Sequence, residues 1–293
     1  MGALPQAAEA WTDFWREQSP DSHCLAGATS DVRQALQDHW AAFAAAVSPG
    51  ASVIDLGCGA GAAGQAMVSA QPRLRVVGID IADIPHSRDP RIRLVPRTAM
   101  EQLPFGDGSF EGAISQFGFE YGRVEQVARE LSRVLRPGSP ISFLVHHSEG
   151  KIATHGELHR QAIEALCGEQ LQAAFLSGNS AILVRQLSLI RQQCPHERII
   201  EQAAQGLMRH LTLSPPQREQ VWQAVKTALA PELVLLAALE VASISPRQIG
   251  SWLGPLADWF ELKPPEAIRV AGAGALCWKV EGVRRSRDAA AGK

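Results

Sequence analysis

The chain has 293 residues, enough for one large domain or a domain with an insertion. Hydrophobic residues make up 46% and charged residues 20%, with a formal net charge of -2 and a pI near 6.5, which excludes a global basic field for nucleic acid or an anionic membrane. The five cysteines (Cys24, Cys58, Cys167, Cys194, Cys277) are scattered without a CxxC pair, which excludes a disulfide framework or cysteine metal site and points to a reducing cytoplasm.

The first residues lack the basic flank and long apolar core of a signal peptide. The most apolar run, Leu233 to Leu239, falls far short of the ~20 residues a membrane helix needs. Trp11, Phe14 and Trp15 share one face of an expected helix, which either packs on the core or closes over a ligand. Asp31 opens a second helix with a capping-box-like Gln34, and Val32, Leu36, Trp40, Phe43 and Val47 keep the 3.6-residue period up to Pro49-Gly50. Val53, Ile54 and Leu56 form a strand that breaks at Gly57-Cys58-Gly59-Ala60-Gly61, and a helix follows. Leu74–Asp80 and Arg91–Pro96 are further strands, joined by a short linker whose two prolines leave little room for a helix. Phe110–Ser115 is a fourth strand and Ile141–His146 a fifth, on either side of an amphipathic helix from Val124 to Leu135.

The alternation stops at Ser148. Helices are expected over 161–176, 181–194, 197–211 and 217–241, punctuated by prolines at 195, 215, 216 and 231. Pro246 opens a further helix through Trp259 and Phe260, before a closing pair of strands at 265–271 and 275–280. The expected organisation is a sheet domain of 1–147 and 246–283, a helical insertion over 148–245, and a disordered tail over 284–293.

A strand, a glycine loop and a helix make a nucleotide-binding arrangement. Gly59 to Gly64 fits the GxGxxG of dinucleotide enzymes, with Asp80 downstream. Asp55 at the strand end opposes that reading, since it would set a carboxylate beside a pyrophosphate; it suits a ligand carrying an ammonium and a sulfonium. Four ordered pieces decide: VIDLGCGAG, VVGIDIA, LPFGDGSFEGAIS and ARELSRVLRPGSPISF. Over roughly 50–147 the chain resembles the class I S-adenosylmethionine-dependent methyltransferases, of the small-molecule type. The resemblance implies a doubly wound, Rossmann-like, mostly parallel α/β sheet of seven strands, with helices on both faces and the helical segment as an inserted cap.

The resemblance also implies roles. Gly57, Cys58, Gly59 and Gly61 would line the methionine half of S-adenosylmethionine, with Asp55 near its ammonium; Cys58 would be a small packed residue and no nucleophile. Asp80 would accept from both ribose hydroxyls, as an acceptor-only carboxylate can. Ile81, Ala99 and Met100 would contact adenine, although the family's usual acid is replaced by Ala99, leaving a carbonyl or Glu101 to substitute. Ser115 and Gln116 would border the transferable methyl, and Phe117, Glu120, Tyr121, Trp11 and Trp15 the acceptor. His146 and His147 end the fifth strand and are the candidate bases, one facing the site and the other away; His147 is preferred. His155 and His159 share a helix face but fall short of a metal motif, and no metal is expected. The expected reaction is in-line methyl transfer to a small, largely apolar molecule, with S-adenosylhomocysteine as product and the acceptor atom open. The alternatives are an inactive binding protein of the same fold and an NAD(P)-dependent oxidoreductase. The insertion reads as a lid over the pocket or as a homodimer surface.

Overall fold

The computed structural model describes residues 5–17, 30–270 and 274–286. Cys24, Gly272-Ala273 and the tail from Arg287 on lie outside the described residues. Two compact units divide the chain: one runs to Ala153 and resumes at Val241, and the other is Thr154–Glu240.

The first unit is a sheet in the order β3-β2-β1-β4-β5-β8-β6, with β7 also paired to β8. Its strands are β1 (Ser52–Leu56), β2 (Arg75–Ile79), β3 (Ile92–Val95), β4 (Gly112–Gln116), β5 (Pro140–His146), β6 (Phe260–Leu262), β7 (Glu266–Val270) and β8 (Gly274–Arg284). The first five are parallel. β8 runs antiparallel to β5, and β6 and β7 take successive halves of its other edge. Pro264-Pro265 separates those halves, because proline cannot donate to a ladder. Seven strand positions therefore make the sheet, as expected, with the last one split.

Helices α1 (Pro5–Glu17), α2 (Ser30–Ala46), α3 (Ala62–Ala70) and α4 (Val124–Val134) accompany the parallel strands. Alternation along β1 serves both layers. Ile54 and Leu56 pack with Val127, Leu131 and Val134 of α4. Val53 packs with Trp40 and Phe43 of α2 and Met67 and Val68 of α3. Asp55 thus lies on the α3 side, 1% exposed. The capping box expected at α2 is not formed: Gln34 donates forward to Asp38.

Two expectations fail near the end of this unit. The helix from Pro246 is short and broken, as α10 (Ile249–Trp252) and α11 (Gly254–Ala257), and Phe260 is a buried strand residue. The helix breaks at Leu253, just before Gly254-Pro255, whose proline suits a helix start, and pairing to β8 outweighs the local apolar period. Arg284, expected in the tail, ends β8, and its Nε donates to the Ser132 carbonyl at 2.6 Å.

The second unit is helical: most of α5 (Lys151–Leu166), then α6 (Glu169–Leu176), α7 (Ser180–Gln193), α8 (Arg198–His210) and most of α9 (Pro215–Ala242). Its core gathers Leu166, Phe175, Leu187, Ile200, Leu207 and Trp222. The helix expected over 161–176 starts ten residues earlier and breaks at Gly168, which is extended and caps α6. Within α5, Gly156 lets α9 pass close: a Cβ there would meet the Leu239 side chain at 2.6 Å. Proline punctuation holds only in part. Pro215 and Pro216 sit in the first turn, where no N–H is required, and Pro231 lies inside α9 without ending it. His159 joins three helices here, its Nδ1 at 2.6 Å from Glu197 and its Nε2 at 3.0 Å from Glu232. His155 is exposed, 3.8 Å from Glu197. Among the described residues no cluster of ligands could hold a metal ion, and no helix is long and apolar enough to cross a membrane.

Candidate active site

The order β2-β1-β4 puts the reversal of strand winding between β1 and β4, where open α/β sheets leave a crevice beyond the carboxyl ends of the strands. A crevice of about 720 Å³, its open mouth included, lies there. All its lining residues come from the first unit.

Its floor is the turn after β1. Gly57 has φ +61°, and a Cβ on it would lie 2.8 Å from the Gly118 Cα. The two backbones meet without side chains between the ends of β1 and β4. The Cys58 amide donates to the Ile79 carbonyl at 3.0 Å, which ties the turn to β2. Gly61, at φ +84°, caps α3.

Two carboxylates face this turn. Asp80 is held by backbone amides: Oδ2 accepts from Gly59 at 2.9 Å and Oδ1 from Ala82 at 2.9 Å. Burial raises its pKa, and the amides of Ala82, Gly59 and Ile81 offset part of that. Asp55 lines the crevice, yet neither carboxylate oxygen has a well-aligned hydrogen bond. Burial first, then the Asp80 charge, push Asp55 up to about 8, against a weaker pull from the Gly64 amide. An unpaired buried carboxylate costs several kcal/mol or takes up a proton instead, and here the proton is favoured. Burial and the same two acids raise the Cys58 thiol well above its usual range, so it is no thiolate.

The walls are apolar. Trp11 and Trp15 of α1 line the crevice with Ile81, Met100, Phe117 and Tyr121. Trp11 meets Tyr121 edge-on at 5.7 Å. Thr12 Oγ1 accepts from the Asp83 amide at 3.0 Å, so α1 touches the loops after both β2 and β4. Gln116 also lines the crevice, its Oε1 accepting from Trp40 Nε1 at 2.7 Å.

Several expected residues sit elsewhere. Gly59 is covered by Trp15, and Gly61 lies over Leu94, so neither lines the crevice. Ala99 is also off the lining, and Glu101 accepts from the Arg123 amide instead. Ser115 is fully buried: its hydroxyl donates to the Leu56 carbonyl at 2.7 Å and accepts from the Phe119 amide at 2.9 Å, joining the β1 and β4 ends. Ala60, Ala62, Ala63 and Gly118 line the crevice and were missed. The short side chains after the glycines were the available signal.

Strand alternation separates the two histidines, and neither lines the crevice. His147 stacks on Trp278 at 4.4 Å, accepts from the Glu149 amide at Nδ1, and has a pKa lowered by burial. His146 is buried and off the crevice lining, stacked on Phe117 at 4.7 Å and edge-on to Tyr121 at 6.0 Å. Its Nδ1 lies 2.7 Å from Glu120 Oε1, the same oxygen that accepts from the His146 amide at 2.9 Å. Glu120 lies in the 3-10 turn Phe119–Tyr121, with its side chain buried behind the wall. Phe117 holds φ +60°, a left-handed conformation costing about 1–2 kcal/mol for a residue with a side chain.

Residues 54–143 match the family model described as a methyltransferase domain. The chain is 31% identical over 163 residues to the 24-methylenesterol C-methyltransferase 2 of Arabidopsis thaliana, covering 52% of this chain and 45% of that protein. It is 32% identical over 125 residues to the 2-phytyl-1,4-naphtoquinone methyltransferase of Synechocystis, covering 38% of this chain and 52% of that one. It thus spans about half the length of these curated relatives. Among solved structures it resembles the 1,6-didemethyltoxoflavin-N1-methyltransferase of Burkholderia thailandensis, solved with 1,6-didemethyltoxoflavin and S-adenosylhomocysteine, with a TM-score of 0.51 at 12% identity, covering 98% of this chain and 92% of that chain. At that identity the likeness is one of fold.

Proposed function

The chain carries a class I S-adenosylmethionine-dependent methyltransferase domain, with S-adenosylmethionine as its cofactor, and on that premise we propose that it methylates a small, largely apolar molecule. The observation that carries this reading is the pair of carboxylates at the glycine turn. Asp55 is buried and lines the crevice with neither oxygen in a well-aligned hydrogen bond, which leaves it open to an ammonium. Each Asp80 oxygen already accepts one amide and has a lone pair left for one hydroxyl of a vicinal diol. Ile81 and Met100 offer apolar surface to a purine ring, with no carboxylate at Ala99 to read its edge.

The bound cofactor supplies a methyl group already activated on a sulfonium. The protein's part is then to position and to exclude water, and positioning alone can lower a barrier by about 7–11 kcal/mol. Trp11, Phe117 and Tyr121 bound the space beyond Gln116 with apolar surface, which suits a neutral flat acceptor and keeps water out. The test is transfer of labelled methyl from S-adenosylmethionine into small molecules of a cell extract. Label in a low-molecular-weight apolar fraction is expected with the wild-type protein and not with Asp80→Ala; label found only in protein or nucleic acid would refute the acceptor class.

A further inference from the structure

We propose that Gln116 is a specificity residue whose side-chain amide donates a hydrogen bond to an oxygen on the flat acceptor, such as a ring ketone. This rests on the methyltransferase reading above and names a feature the acceptor must carry. Three observations carry it. Gln116 ends β4 and lines the crevice. Its Oε1 accepts from Trp40 Nε1 at 2.7 Å, and an indole N–H can only donate, so this bond fixes which way the amide is turned. Trp40 is itself 1% exposed and edge-on to Phe43 at 6.4 Å, which holds the indole in place. The Nε2 branch is left as a donor; it has no partner among the described residues and is not sealed inside the protein.

Position along the sheet assigns that donor to the acceptor. In the order β2-β1-β4, Asp80 follows β2, Asp55 lies in β1 and Gln116 ends β4. Both carboxylates offered to the cofactor therefore stand on one side of Gln116. Phe117, the next residue, donates its amide to the Leu144 carbonyl of β5 at 2.8 Å, so the aromatic wall continues away from them. A second hollow of about 340 Å³, its open mouth included, shares Gln116 with the crevice, and Leu36 and Trp40 of α2 and Ala66 of α3 surround it. The amide stands where the two hollows meet, so an acceptor bonded there has space for a substituent. A flat hydrocarbon would fill the apolar wall and leave the amide without a partner. The same ring with a ketone satisfies it, and a site built around such a donor disfavours the analogue that lacks the oxygen.

The test compares 1-indanone with indane, which differ by one ring carbonyl, on the whole chain saturated in S-adenosylhomocysteine. In wild type the C=O stretch of bound 1-indanone should lie at lower frequency than in cyclohexane, the mark of a hydrogen bond to the ketone. Gln116→Met should return the stretch to the cyclohexane value and weaken 1-indanone about fivefold more than indane. Gln116→Glu keeps an oxygen for Trp40 and, ionised, has no donor, so it should do the same. An unshifted stretch in wild type, a shift that survives both variants, equal losses for the two probes, or no binding of 1-indanone by wild type would each overturn the proposal. So would a larger loss for S-adenosylhomocysteine than for 1-indanone, which would assign the amide to the cofactor's carboxylate. Absence of S-adenosylhomocysteine binding by wild type would instead count against the methyltransferase reading.

Discussion

The indole of Trp15 occupies the place a side chain on Gly59 would need: a Cβ there would fall 2.1 Å from Trp15 Cζ2. The middle glycine of the turn is therefore required by the protein's own α1 as well as by its φ of +51°. Trp15 also packs with Ala82 and Ile84, beyond the Asp80 end of the crevice. Gly59→Ala should lower stability by about 1–3 kcal/mol, through overpacking and a left-handed alanine. Trp15→Ala in the same chain should recover the overpacking part, a coupling of more than about 0.5 kcal/mol in a double-mutant cycle. Strict additivity in denaturant unfolding would show that the indole does not rest on this glycine.

On the proposed role of Asp55, cofactor binding should be proton-linked. Its pKa is near 8 in the empty protein, so the group is mostly protonated at pH 7. An ammonium placed against it favours the ionised form, so binding should release about one proton at neutral pH and progressively fewer above pH 8. Titration calorimetry of S-adenosylhomocysteine in phosphate and in Tris should therefore give different apparent enthalpies at pH 7. Asp55→Asn should remove most of that difference; equal enthalpies in both buffers for wild type would contradict the assignment.

The helical unit should weaken in alkali. His159, between Glu232 and Glu197, has its pKa raised to about 9, chiefly by the hydrogen bond to Glu232. A folded-state value above the unfolded 6.5 means the contribution is complete below pH 6.5 and disappears as pH climbs through 9. Between those limits wild type should lose stability relative to His159→Gln. Parallel unfolding curves for the two proteins from pH 6 to 9.5 would leave the clamp without a role.

The strand positions, the glycine turn and the acids at 55 and 80 were legible because each follows from local chemistry: β-branched runs, left-handed glycines and carboxylates at strand ends. Which glycines face the crevice was not legible, since that depends on residues distant in sequence: Trp15 covers Gly59 and Leu94 lies against Gly61. Ser115 misled for a similar reason. A serine at a strand end reads as a ligand, but here a carbonyl at the end of β1 and an amide in the turn after β4 claim it. The separation of His146 from His147 turned on strand phase, which a sequence of two adjacent histidines does not encode. Pro231 within α9 and Phe260 within β6 show tertiary packing overriding local rules.

Calorimetric titration of S-adenosylhomocysteine into wild type and Asp80→Ala tests the central claim most directly, that the carboxylates at the glycine turn hold the cofactor. Wild type should bind, and the substitution should weaken binding at least tenfold, about 1.4 kcal/mol. No binding by wild type, or equal affinity in the two proteins, would contradict it.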